Sequence, residues 1–114
     1  MRLENYEFGR LRVDGRDYSQ DLIVYPDRVH APWWRQTGHR LLPEDLADVL
    51  TARPRVLVVG TGAHGRMAVP QPTRMVLDEA GIELRAAPTA EAVALFNQLE
   101  GKGDHPVGAF HLTC

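Results

Sequence analysis

Apolar and polar positions alternate with a period of two near the start of the chain, at Tyr6 and Phe8 and then at Leu11 and Val13, as in a strand with one covered face. Asp14-Gly15 follows, a dipeptide suited to the positive φ angles of a tight turn, so the pattern predicts an N-terminal antiparallel hairpin. Asp21 to Tyr25 reads Asp-Leu-Ile-Val-Tyr, another short strand, which Pro26 stops because it brings no N–H to a ladder. From Pro26 to Leu42 the periodicity vanishes, and two prolines, one glycine and the pair Trp33-Trp34 mark a long loop. Loops of that length in small domains are usually functional or disordered, and two tryptophans argue against disorder.

A helical period takes over at Pro43, whose missing N–H costs nothing in a first turn, and Glu44 and Asp45 suit the positive end of the helix dipole. Leu42, Leu46, Val49 and Leu50 share one face, and Pro54 ends a helix predicted to run to about Thr51. Val56 to Val59 is four consecutive aliphatics, three of them β-branched, the pattern of a central strand covered on both faces. Val69 to Pro72 is held extended by its prolines, a short helix is predicted from about Thr73 to Ala80, and Gly81 stops it. Ile82 to Ala87 is a further strand. Thr89 then caps a helix with the stripe Val93, Phe96 and Leu99, Gly101 and Gly103 mark its exit, and Val107 to Leu112 is the last strand. A β-rich start followed by αβαβαβ predicts one α/β domain over residues 1–114, a mixed β-sheet with an N-terminal antiparallel hairpin and flanking helices, without repeat or linker.

Composition narrows the function classes. With 44% hydrophobic and 25% charged residues in 114, the chain has the balance of a globular domain with one core. Thirteen Lys and Arg against 15 Asp and Glu give a net charge of −2, which supplies no field for a polyanion and disfavours nucleic acid. No run nears the roughly 20 apolar residues of a membrane span, and Met1 to Gly9 lacks the pattern of a signal peptide. The single cysteine, Cys114, suits a reducing compartment, so a cytoplasmic location is expected.

Gly60-Thr61-Gly62-Ala63-His64-Gly65 matches the G-x-G-x-x-G pattern after a strong strand. A dinucleotide fingerprint needs a helix opening within the glycines, and Pro70 and Pro72 place the next helix too late; a Walker loop lacks its Gly-Lys-Ser/Thr. What remains is a candidate anion nest for a phosphate or carboxylate at Gly60, Thr61, Gly62, His64, Gly65 and Arg66, weighed against glycines that merely let the chain turn. The loop from Asp27 to Arg40 gathers three arginines, two histidines and both tryptophans, residue types enriched at binding hot spots. Its candidate contact residues are Arg28, His30, Trp33, Trp34, Arg35 and His39, against the alternative that one tryptophan plugs the core while arginines stack on it.

His111 and Cys114 point to opposite faces of a strand and cannot act together, and the other histidines show no metal-ligand spacing, so no metal and no cofactor are expected. The only serine, Ser19, has no nucleophile elbow, and pairing Asp21, Asp27 or Glu44 into an acid–base dyad has no support in the spacing.

Tyr25-Pro26-Asp27-Arg28-Val29-His30 with Trp33-Trp34-Arg35 and Gly38-His39, then Val58 to Gly62 with Gly65, Thr89 with Glu91 to Val93 and Phe96-Asn97, and finally His111 to Cys114, occur in an order that resembles the adipogenesis-associated domain family. That family also includes bacterial and archaeal domains of unknown function and is similar to a mitochondrial respiratory complex I assembly factor. The resemblance spans nearly the whole chain and implies a three-layer α/β fold, no established activity and no catalytic residues to carry over.

Two functions from different classes follow. One is a non-enzymatic binding or assembly module whose Arg/Trp loop contacts a protein partner, which predicts Trp33 and Trp34 exposed on a flat apolar patch. The other is a small-anion pocket at the glycine loop, with or without a reaction, in which Arg28, His39 or His64 supplies charge; it predicts both tryptophans buried beside a cavity lined by Gly62 and His39.

Overall fold

The computed structural model describes residues 1–114. Val56 to Val59 seeds the architecture: in β6 (Val56–Thr61) every residue is buried, and successive side chains point to opposite sides into two separate cores. Parallel pairing joins β6 to β7 (Glu83–Ala87) on one side and to β8 (Val107–His111) on the other. β4 (Leu22–Val24) and β5 (Val29–His30) extend the sheet antiparallel, in the order β5-β4-β8-β6-β7. The middle place therefore falls to β8, with β6 beside it and still covered on both faces.

The expected hairpin is a three-stranded antiparallel sheet of its own: β1 (Leu3–Glu7), β2 (Arg10–Val13) and β3 (Arg16–Tyr18). Asp14 and Gly15 both take positive φ, as the Asp-Gly turn requires. Leu3, Leu11 and Val13 enter one core with Val56, Val58 and Phe110 of the large sheet and with Ala92, Val93, Phe96 and Leu99 of α3 (Thr89–Gly101). Asn97 clamps the small sheet to that helix, accepting from the Leu3 N–H at 3.0 Å and donating to the Leu3 carbonyl at 2.8 Å.

The opposite face is covered by a 3-10 turn (Pro43–Leu46) running into α1 (Ala47–Ala52), by α2 (Gln71–Glu79), and by Trp33 and Leu41 of the long loop. Leu57, Val59 and Ala109 meet Leu46, Val49 and Leu77 there, completing three layers around the sheet. Two local expectations change. Helix α2 opens at Gln71, because Pro72 fits its first turn as well as an extended segment. Thr89 makes no capping hydrogen bond; its hydroxyl is buried and bridges the Gly62 N–H and the His111 carbonyl.

Candidate functional site

Antiparallel pairing of β4 with β8 and parallel pairing of β8 with β6 bring Asp21, His111 and Thr61 to the same end of the sheet. The long loop returns across that end, where the Trp33 N–H donates to the Asp21 carbonyl at 2.8 Å. Arg35 Nη1 then donates to Asp21 Oδ2 at 2.7 Å, His111 Nδ1 lies 2.7 Å from the same oxygen, and the Leu112 N–H donates to Asp21 Oδ1 at 2.8 Å. Burial pushes the Asp21 carboxyl up, but hydrogen bonds from His111, Leu112 and Arg35 outweigh it and hold it below the usual carboxylate range. An ionised Asp21 calls for a proton on His111 Nδ1, and the Nε2 of the same ring is buried without a partner. Arg35 Nη2, 3.1 Å from that Nδ1, then has the Gly38 carbonyl at 3.4 Å as its acceptor.

This cluster fastens the loop. The Arg35 side chain is only 6% exposed and lies 4.8 Å over the Trp33 ring. Trp33 donates from Nε1 to the Asp45 carbonyl at 3.0 Å, and the Asp45 carboxylate accepts from the N–H groups of Leu42 and Gln36. Trp33 is 4% exposed and part of the core, whereas its neighbour Trp34 is 78% exposed. Two clefts flank that exposed ring. One, of about 450 Å³, is lined by Trp33, Trp34, Arg35 and His30 on one side and by Glu44, Asp45 and Asp48 on the other. The second, of about 340 Å³, lies over Gln20, Asp21, Thr37 and Gly38.

The remaining candidates separate. Arg28 stacks 4.0 Å over Tyr25 and pairs with Asp27 in solvent, away from the cluster. Burial, then the charge of Asp48, raises the Tyr25 hydroxyl above its ordinary range, against a smaller opposing effect of Arg28. His39 lies edge-on to His111 with ring centroids 6.4 Å apart, so the loop and the strand end share one surface.

The glycine loop joins this surface differently from the expected cradle. Four of its N–H groups are committed to the chain itself: Gly62 to the Thr89 hydroxyl at 2.9 Å, Ala63 to the Thr113 carbonyl at 2.6 Å, Gly65 to the Gly62 carbonyl at 3.2 Å, and Arg66 to the Cys114 carbonyl at 3.3 Å. A Cβ on Gly62 would lie 2.3 Å from the Cys114 carbonyl carbon, so this glycine is required for the close approach of the last residues. The backbone nest is filled by the chain's own carbonyls, and Thr61 and Gly60 are buried within the strand; only His64 and Arg66 are left as exposed donors. Cys114 is a free, half-buried thiol, and no three His, Cys, Asp or Glu side chains converge as a metal site.

Asp21, Arg35 and His111 were not legible as one site. The one sequence signal was a charged or polar residue at the end of each of two apolar strands, and only the pairing of β4 with β8 makes neighbours of residues 90 apart.

Fold and site define a small three-layer α/β domain that holds one aromatic side chain into solvent on a braced loop. The chain belongs to the family described as protein of unknown function (DUF498/DUF598), whose model matches residues 3–111. A conserved hypothetical protein from Pyrococcus horikoshii OT3 is similar over 100% of both chains, with 29% identity and a TM-score of 0.84. A protein from Bartonella henselae described as an outer membrane protein shares the fold at 23% identity over 98% of this chain and 94% of its own, TM-score 0.82. A Mth938-like domain from Bordetella pertussis shares it at 22% identity over 97% and 85%, TM-score 0.67. In the present chain no helix is long and apolar enough to cross a membrane.

Proposed function

We propose that this protein is a non-enzymatic binding module that contacts a protein partner through the loop from Asp27 to Arg40, with Trp34 as the anchor. One observation carries the reading: a tryptophan 78% exposed stands beside a residue pair, Trp33 and Arg35, that is buried and hydrogen-bonded into the core. An exposed indole on a floppy loop loses ordering entropy on binding, whereas one on a braced loop has met that cost on folding. The two tryptophans divide between the outcomes expected from the sequence, one serving the core and one free for contact. Asp21 and His111, the acid–base pair at this end of the sheet, are largely buried and tied to each other and to Arg35, which supports binding over catalysis. The resemblance to an assembly factor points the same way, and the lone thiol supports a cytoplasmic setting. A rival anion site would have to rely on His64 and Arg66 alone.

Site-specific photo-crosslinking tests this. A photoreactive residue at exposed Gln36 should give a discrete protein adduct in cells that disappears in Trp34→Ala, while the same group at exposed Met75 should not. No adduct from position 36, or one that persists without Trp34, refutes it.

A further inference from the structure

The larger cleft beside Trp34 has a chemistry of its own. Three carboxylates, Glu44, Asp45 and Asp48, stand in its wall. Glu44 and Asp48 are exposed and enter none of the ion pairs of the fold. Asp45 accepts from two backbone N–H groups. The one arginine or lysine in the lining, Arg35, is paired with Asp21. The cleft therefore combines two unpaired carboxylates with an exposed indole in one lining.

A second feature lies in the same lining, the Trp34 ring, which is 78% exposed. Charge complementarity alone would admit a metal ion, but no three of these carboxylates converge as a metal site. A polypeptide supplies a cationic side chain for the carboxylates and the indole face together. We infer that this cleft receives a basic segment of the partner, with an arginine or lysine side chain over Trp34 and between Glu44 and Asp48. The inference rests on the Trp34 contact proposed above and adds the chemistry of what is contacted.

Selection from a random peptide library displayed against the intact protein tests it. Enriched peptides should carry Arg or Lys. Synthetic copies should bind at least about tenfold more weakly to Glu44→Gln/Asp48→Asn and to Trp34→Ala, and should weaken as salt is raised. Both sets of substitutions are on the surface, and thermal unfolding of the variants should be unchanged, so lost binding is not lost folding. Enriched peptides without a cation, or binding indifferent to the two carboxylates yet lost in Trp34→Ala, overturn the basic-segment inference and leave the Trp34 contact standing. Absence of any enriched peptide also overturns it, while the cross-link from Gln36 decides the contact separately.

Discussion

Replacing Asp21 by alanine is expected to be among the most damaging single changes at the end of the sheet outside the apolar core. It leaves the Arg35 guanidinium, more than nine-tenths buried, without its counter-ion, and leaves the Leu112 N–H without its acceptor. Breaking a buried ion pair by removing one partner costs about 3–5 kcal/mol, and we take the lower end, about 3 kcal/mol, because Asp21 is itself partly open to water. For a domain of this size that lowers Tm by roughly 10–20 °C, readable by circular dichroism or urea titration. The sign with pH follows from the depressed Asp21 carboxyl. Its stabilisation is complete above the unfolded carboxylate value of about 3.9 and is lost as pH falls through the lower folded value. The gap between the native chain and Asp21→Asn should thus be full at neutral pH and shrink on acidification below about pH 4. In a double-mutant cycle with Arg35→Ala, the two losses should be less than additive by about 1–3 kcal/mol. A loss below about 1 kcal/mol, or strict additivity with Arg35→Ala, would show that the cluster does not fasten the loop.

Adjacent tryptophans should behave as opposites. Trp33→Ala should cost about 3–5 kcal/mol and Trp34→Ala less than about 0.5 kcal/mol in urea unfolding, and acrylamide should quench native fluorescence chiefly through Trp34. Gly62→Ala forces a Cβ into the Cys114 backbone at φ +107° and should destabilise by about 3 kcal/mol, whereas Gly65→Ala, whose Cβ would first meet Pro88 at 3.4 Å, should cost only about 1 kcal/mol; equal losses would mean that strain, and not the close approach, governs the loop. Thr89→Val keeps the shape but removes the hydroxyl between the Gly62 N–H and the His111 carbonyl, and should cost about 2 kcal/mol, with Thr89→Ser restoring most of it.

What the chain alone determined is local. Asp14-Gly15 specified its turn because few other dipeptides tolerate two positive φ angles, and Val56 to Val59 announced a strand buried on both faces because no polar residue interrupts it. Val93, Phe96 and Leu99 fell on one buried face of α3 because three- and four-residue steps in a helix do so wherever it packs. The Arg/Trp loop could be singled out from composition, but not which tryptophan was free: Trp33 and Trp34 are chemically identical neighbours, and their fates differ only because Asp21 and Asp45 hydrogen-bond the first. Tertiary structure also reassigned Thr89 from a helix cap to a bridge and filled the glycine nest with carbonyls from the last residues, since both depend on partners far away in sequence. The same holds for Asp21, Arg35 and His111. Each is an ordinary polar residue in its own segment, and the pairing of β4 with β8 beneath the returning loop is what makes them one buried cluster.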